Sequence, residues 1–324
     1  MAAIELVDLV KHFGEVRALD GLNLEVAEGH VHGLLGPNGA GKTTAVRILA
    51  TLLAPTSGTA RVMGHDVIND AHAVRSLIGL TGQFASVDEW LTGRENLVLV
   101  GRLLGLDLAT CTHRAGDLLD RFDLADAADR PANTYSGGMR RRLDLAASLV
   151  GNPPVLFLDE PTTGLDPRSR LQMWSVIRDL TRDGVTVLLT TQYLEEADQL
   201  CDRIVVIDHG RAIARGTSDE LKDEVGGQVV EVRVQDAANL DVVAEVVAAV
   251  TAEEATIDRT LRLVSSATSE GLKAVEAVAR RLKSRELVVA DLSLRRPSLD
   301  EVFLHITGEH ITEEAVEEPQ EVPA

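Results

Sequence analysis

Residues 36–43 read Gly36-Pro37-Asn38-Gly39-Ala40-Gly41-Lys42-Thr43, the spacing G-x-x-x-x-G-K-[ST] in which backbone N–H groups curl around a phosphate chain. A lysine at the seventh place reaches the β- and γ-phosphates, and the Thr43 hydroxyl is a ligand for Mg²⁺. The apolar run Val31 to Leu35 precedes the loop and helix-forming residues follow from Lys42 to Leu53. That order predicts strand, turn and helix, with the helix N-terminus adding partial positive charge at the phosphates. An ordinary glycine-rich turn does not account for Lys42 and Thr43. A second pair, Asp159-Glu160, ends the apolar run Val155-Leu156-Phe157-Leu158, and a buried parallel strand delivers its ligand groups at that end. There Asp159 would hold the cation, directly or through water, and Glu160 would polarise the attacking water as general base. Acids often terminate strands, so the pair counts for little alone. Joined to the loop, it points to phosphoryl chemistry on a nucleotide, and a kinase, a GTPase, a helicase-like motor and a transport ATPase all stay open.

Between the two motifs lies Tyr135-Ser136-Gly137-Gly138-Met139-Arg140, at the start of a helical segment. Ser136 and the backbones of Gly137 and Gly138 can bind a γ-phosphate there, although a serine N-cap followed by glycines also accounts for the run taken alone. The run resembles the LSGGQ signature of the ABC ATPase family and stands in the same order relative to the other motifs. The resemblance covers about residues 4–216 and implies an α/β P-loop ABC ATPase cassette: a mostly parallel sheet with helices, an antiparallel β edge and a helical insert. It implies ATP and Mg²⁺ as ligands, with Thr44 beside Thr43 in the nucleotide site. Gln83, after Ile78-Gly79-Leu80-Thr81-Gly82, resembles the Q-loop glutamine that touches Mg²⁺ or its water and faces a transmembrane partner. Gly164-Leu165-Asp166 is similar to the D-loop that crosses the dimer interface, and Asp166 is carried over with it. Phe13 stands where the family keeps a ring that stacks on adenine; a core residue at a strand end is the alternative. Two positions depart from the family pattern. Met139 replaces the usual signature Gln, and Gln192 stands where most members carry the switch His, so it can donate a hydrogen bond to a γ-phosphate but cannot become charged.

Further stretches, Gly79-Leu80-Thr81-Gly82-Gln83, Leu91 to Leu97, Thr190 to Leu200 and Arg295-Arg296-Pro297-Ser298-Leu299-Asp300-Glu301-Val302-Phe303, resemble the ATP-binding subunits of drug exporters of the daunorubicin-resistance type. The resemblance implies a cassette that pairs head-to-tail with a second copy, each ATP lying between one P-loop and the other copy's Ser136 to Met139. It implies a separate integral membrane permease docked near Gln83, export of a drug or other hydrophobic natural product, and a peripheral place on the cytoplasmic face of the membrane. A soluble ABC protein acting on ribosomes or DNA, and a non-catalytic nucleotide-gated regulatory subunit, are the rival readings.

The elements that must position these residues follow from periodicity. Residues 4–10 and 22–26 alternate apolar and polar as half-buried strands do, about 86–150 is helical, and Val155 to Leu158, Val185 to Leu189 and Ile204 to Ile207 read as buried strands around a helix at Leu171 to Leu180. Beyond residue 217 the order becomes strand, helix, strand hairpin, helix, strand, which suggests a small ferredoxin-like α+β sandwich. The expected domains are therefore 1–218, with a helical subdomain at about 84–150, then 227–308, and a disordered acidic tail at 309–324 that holds six Glu and no Lys or Arg.

The 324 residues carry net charge -19, and 12 of the excess negative charges lie in residues 217–324. Such a surface repels phosphate backbones, so no nucleic-acid partner is expected. The Arg140-Arg141-Arg142 run reads as local phosphate-side or interface charge. Cys111 and Cys201 form no metal-like pair, and His30 and His32 share a strand face without a third ligand, so strand packing is the better reading. No stretch approaches the roughly 18 apolar residues of a membrane span. The start Met1 to Asp8 lacks the basic-then-apolar pattern of a signal peptide.

Overall fold

The computed structural model describes residues 2–82, 87–224 and 227–307. In chain order the elements of the first part are β1 (Ala2–Phe13), β2 (Val16–Ala27), β3 (Val31–Leu35), α1 (Lys42–Leu49), β4 (Ser57–Val62), β5 (His65–Asp66), α2 (Ala71–Leu77), β6 (Ile78–Thr81), α3 (Gly93–Leu103), α4 (Leu108–Arg121) and α5 (Gly137–Leu149). There follow β7 (Val155–Asp159), α6 (Pro167–Arg182), β8 (Thr186–Thr191), α7 (Leu194–Leu200), β9 (Arg203–Asp208), β10 (Arg211–Gly216) and α8 (Ser218–Glu224). The last elements are β11 (Gln228–Val234), α9 (Leu240–Thr251), β12 (Thr256–Asp258), β13 (Leu263–Thr268), α10 (Leu272–Ser284), β14 (Val289–Arg295) and α11 (Leu299–Thr307). The chain divides into two compact units, Met1–Ser218 and Asp219–Ala324.

A six-stranded sheet in the order β10-β9-β3-β8-β7-β6 forms the centre of the first unit. It is parallel except for β10, which returns antiparallel to β9. The continuous apolar runs are explained by covering on both faces. In β7, Leu156 and Leu158 join the core made with α3 to α6, while Val155 and Phe157 join a second core shared with α1 and the antiparallel sheet β2-β1-β4-β5. Because successive strand residues point to opposite faces, a strand inside three layers must be apolar at every place, and all five residues of β7 are buried even though the last is Asp159. The central strands β3, β7 and β8 are parallel neighbours. Their C-terminal ends therefore open on one edge, and that edge carries residues 36–43, Asp159-Glu160 and Gln192.

Two boundaries differ from the expectation. The helix after the phosphate loop stops at Leu49, not Leu53, because Thr51 takes φ 62 and the Leu52 N–H bonds back to the Arg47 carbonyl at 2.9 Å. That left-handed residue with a six-to-one bond is a Schellman close, which satisfies carbonyls that further helical turns would have used. The strand read as 22–26 is the C-terminal half of a twelve-residue β2, antiparallel to β1 from Ala2↔Ala27 to Phe13↔Val16.

In the second unit, β11, β12, β13 and β14 make a sheet in the order β12-β13-β11-β14, antiparallel at every pairing. Val230, Val232 and Val234 of β11 face α9 and α10, whose Val243, Val247, Val278 and Leu282 complete a separate core. The acidic segment 309–324 lies outside the described residues.

Candidate functional site

The phosphate loop leaves β3 at its buried end and turns back into α1 through Gly41, at φ 108. A Cβ there would lie 2.4 Å from the Ala18 carbonyl oxygen of β2, so both the backbone conformation and the close strand require glycine. Lys42 is 4% exposed. Its ammonium donates to the carbonyls of Gly36 at 2.8 Å and Pro37 at 3.0 Å, and Glu160 Oε1 lies 3.7 Å away. Burial pulls the Lys42 pKa below its usual value, and the charges of Glu160 and Asp159 oppose that fall. The Thr43 hydroxyl donates to Asp159 Oδ1 at 3.1 Å, and the Thr190 hydroxyl donates to the same oxygen at 2.5 Å. Two hard oxygen ligands from separate motifs thus meet at the loop, the donor set Mg²⁺ favours. Thr44 follows at a half-buried place in α1, and Pro37, Asn38, Gly39 and Ala40 span the turn between strand and helix.

Glu160 sits at φ 51, a left-handed conformation unusual for a residue with a side chain. Such a conformation costs about 1–2 kcal/mol. It is held by the Glu160 N–H, which donates to both the carbonyl and the hydroxyl of Thr190 at 3.1 Å. Gln192 follows β8 at a half-buried position one strand away. Gln83 lies outside the described residues, although Thr81 of β6 pairs with Leu158 and leads toward it. Phe13, 48% exposed, closes the β1–β2 hairpin, with the Lys11 ammonium 5.1 Å from its ring centre. An exposed ring is available for stacking, and this disfavours the core reading.

Ser136 caps α5: its hydroxyl accepts from the Met139 N–H at 3.2 Å, and Ser136 and Gly137 are exposed. The start of α5 therefore offers free N–H groups to the outside. Asp166 caps α6, accepting from the Ser169 hydroxyl at 2.6 Å and the Ser169 N–H at 2.9 Å, and these bonds hold its carboxyl below the usual range. A Cβ on Gly138 would come within 2.5 Å of Ser169 Oγ, so the second signature glycine lets the two helix starts pack closely.

Three residues near these motifs went unrecognised as parts of the site. Thr190 bridges Asp159 and Glu160, and nothing in its type marks it apart from the other apolar-run threonines. Glu196 in α7 is fully buried, with Oε1 accepting from Thr162 Oγ1 at 2.8 Å and Trp174 Nε1 at 3.0 Å. Arg141, the middle one of the three consecutive arginines, turns inward and gives its donors to carbonyls, those of Asp159 and Glu160 among them. Its signal was Asp144, an acid three residues on, at an apolar place of the helix. His32 packs in its strand, and burial first, then the neighbouring His30, push its pKa down to about 4. Among the described residues no group of three His, Cys, Asp or Glu could hold a metal ion.

Loop, strand end and helix start have the layout of a P-loop nucleotide-binding protein. Comparison with known proteins narrows the class. Residues 19–163 match the ABC transporter family, and residues 216–307 match the C-terminal domain of the ATP-binding protein DrrA1-3-like family. The chain is 54% identical to the daunorubicin resistance ATP-binding protein DrrA3 of Streptomyces coeruleorubidus, over 95% of this chain and 96% of that one. It is 53% identical to the daunorubicin/doxorubicin resistance ATP-binding protein DrrA of Streptomyces peucetius, over 98% and 97%. Among solved structures it resembles a dimeric ATP-binding cassette in a post-hydrolysis state bound to ADP and phosphate, with TM-score 0.60 and 27% identity over 66% of this chain and 98% of that one. The chain belongs to the ABC transporter ATP-binding proteins of the DrrA type, and it is an ATP-binding ATPase.

Proposed function

We propose that this chain is the ATP-hydrolysing subunit of an exporter for a drug or other hydrophobic natural product, working on a separate integral membrane permease. The observation that carries the reading is the convergence of Lys42, Thr43, Asp159 and Glu160 within hydrogen-bond or ion-pair distance at one sheet edge. The names of the relatives, which are drug-resistance proteins, support the cargo class. Among the described residues no helix is long and apolar enough to cross a membrane, which suits a peripheral subunit on the cytoplasmic face. We assign residues 1–218 to the nucleotide-binding cassette and 227–308 to a ferredoxin-like C-terminal domain.

In this reading the N–H groups of residues 36–43 and the α1 N-terminus bind the β- and γ-phosphates, and Lys42 exchanges its carbonyl partners for phosphate oxygens. Thr43 and Asp159 would hold Mg²⁺, with Gln83 beside them, and the bound ion would neutralise charge on the phosphates. Glu160 accepts a proton from the attacking water, and Gln192 donates a hydrogen bond to the γ-phosphate. Phe13 stacks on the adenine. The cap Ser136, Gly137, Gly138 and Met139, with Asp166, meets the nucleotide of a second copy in a head-to-tail dimer. Binding closes the pair and hydrolysis reopens it.

The test compares wild-type protein with Glu160→Gln. Loss of the base is expected to lower phosphate release by about 10²–10⁴-fold while Mg-ATP binding survives, and light scattering is expected to show the variant dimerising only with Mg-ATP. Wild-type turnover in Glu160→Gln would remove Glu160 from its role. A variant that bound Mg-ATP yet stayed monomeric would count against the self-contained two-site dimer, and co-purification with ribosomes in place of a membrane protein against the export reading.

A further inference from the structure

Arg141 stands one turn inside α5, with its side chain 12% exposed. Its Nε donates to the Pro161 carbonyl at 2.8 Å, Nη1 to Gly82 at 2.7 Å, and Nη2 to Asp159 at 3.2 Å and Glu160 at 3.0 Å. The Asp144 carboxylate lies 3.6 Å from Nη1. A guanidinium has five N–H donors in a rigid plane, and here four bonds reach main-chain oxygens. Three of those oxygens belong to consecutive residues at the end of β7, and the fourth belongs to the residue before Gln83.

We propose that Arg141 is a positioning residue that holds the Glu160 carboxylate in its working place, so that the hydrolytic step depends on the signature helix α5 through this one side chain. The proposal rests on the ATPase reading above. Its physical basis is the strained backbone at Glu160. A left-handed residue reverts to an easier conformation unless its surroundings prevent it. The Glu160 N–H is fixed from one side by Thr190, and its carbonyl oxygen is fixed from the other by Arg141. Without the guanidinium, three adjacent carbonyls lose a charged donor and the peptide planes on either side of Glu160 are free to turn. Because the same plane also holds Gly82, a shift of α5 moves the base and the approach to Gln83 together. None of these partners lies in residues 36–44, and the Asp159 carboxylate is held by Thr43 and Thr190 apart from the carbonyl that Arg141 meets, so Arg141 acts on the hydrolytic step and not on phosphate binding. Lysine cannot replace it, since a compact ammonium with three donors does not span four oxygens set along a planar fork.

The experiment uses the full-length protein and measures Mg-ATP affinity, single-turnover hydrolysis and melting temperature for wild type, Arg141→Ala, Arg141→Lys and Glu160→Gln. A base displaced by about 1 Å loses on the order of 10²-fold in rate, so Arg141→Ala is expected to lose that much in hydrolysis with Kd unchanged. Arg141→Lys is expected to recover only part of the loss. Free guanidinium ion at sub-denaturing concentration is expected to raise hydrolysis by Arg141→Ala and to leave Glu160→Gln as slow as before. Should the alanine variant not fold, the lysine variant carries the test by the same split of rate from affinity. Wild-type hydrolysis in the variant that folds overturns the proposal. So does a parallel fall of affinity, rate and melting temperature without guanidinium rescue, which is the mark of a purely structural residue. A wild-type protein that binds but never hydrolyses Mg-ATP sinks the ATPase reading instead, and the two failures are told apart by that control.

Discussion

Glu196 has no exposed surface, and its Oε1 accepts from Thr162 Oγ1 and Trp174 Nε1. Burial raises its pKa above the usual 4.5, and bonds from the Thr191 hydroxyl first, then the Thr162 hydroxyl and the Trp174 indole, oppose that rise without cancelling it. A carboxyl whose folded pKa is raised keeps its full stabilising contribution below pH 4.5 and loses it as pH climbs through the folded value, because the native state then holds the extra proton. Glu196→Gln keeps an acceptor for both donors and cannot ionise. Urea denaturation across a pH series is expected to show a decline with rising pH, beginning near pH 4.5, in wild type that is reduced in Glu196→Gln. Equal pH slopes would refute the raised value. Glu196→Ala is expected to cost about 1–3 kcal/mol below pH 4.5, since it leaves the buried hydroxyl and indole N–H without their acceptor, and less as pH rises and the wild-type carboxyl ionises. At this scale the sequence was legible where type and spacing carry the chemistry, as at Lys42, Thr43, Asp159 and Glu160. It was silent at Glu196, because a run of Leu194-Glu195-Glu196-Ala197-Asp198 reads as a solvated helix start until a tryptophan from α6 is found against one of its acids.

Helix starts do much of the positioning here. Ser136 accepts from the Met139 N–H, Asp166 from Ser169, and Thr92 forms a reciprocal capping box with Glu95. Each cap satisfies one N–H and leaves others of the first turn open to a ligand or to water. Ser136→Ala is therefore expected to lower stability by about 1 kcal/mol, read as a shift of the denaturation midpoint at constant slope. A midpoint equal to wild type would mean that the cap bond is not formed in solution. The elements were well marked in the sequence because burial dictates their patterns. Val31 to Leu35, His32 apart, and Val155 to Leu158 are apolar because cores lie on both faces, and β1 and β2 alternate because one face is open. Among the elements missed were β4 to β6, α2 and β10, with the early close of α1. Strands of six, two and four residues have little length in which to show a period, and Thr51 carries no hint of its positive φ.

On the scale of the molecule, separate cores predict separate melting. The first unit is built on two adjoining cores and the second on its own. A ligand that binds only the first should move only its transition, by about 2.7 kcal/mol at a hundred times Kd. Calorimetry of the whole chain is expected to resolve two transitions, with Mg-ATP raising one and leaving the other in place. A single transition that moves as one would show that the units unfold cooperatively. Taken by itself, the amino-acid sequence determined the phosphate loop, the strand-end acids, the signature-like helix start and the order of the elements, since each of these is local: a spacing of a few residues or a period of two or 3.6. Tertiary structure alone decided which strands are neighbours, and so that Thr43 and Asp159, 116 residues apart, share a hydrogen bond. It alone turned Arg141 inward and bent Glu160 into a left-handed conformation. The reason is that such a conformation or a buried charge is unfavourable in isolation and persists only where partners distant in the chain supply the missing hydrogen bonds.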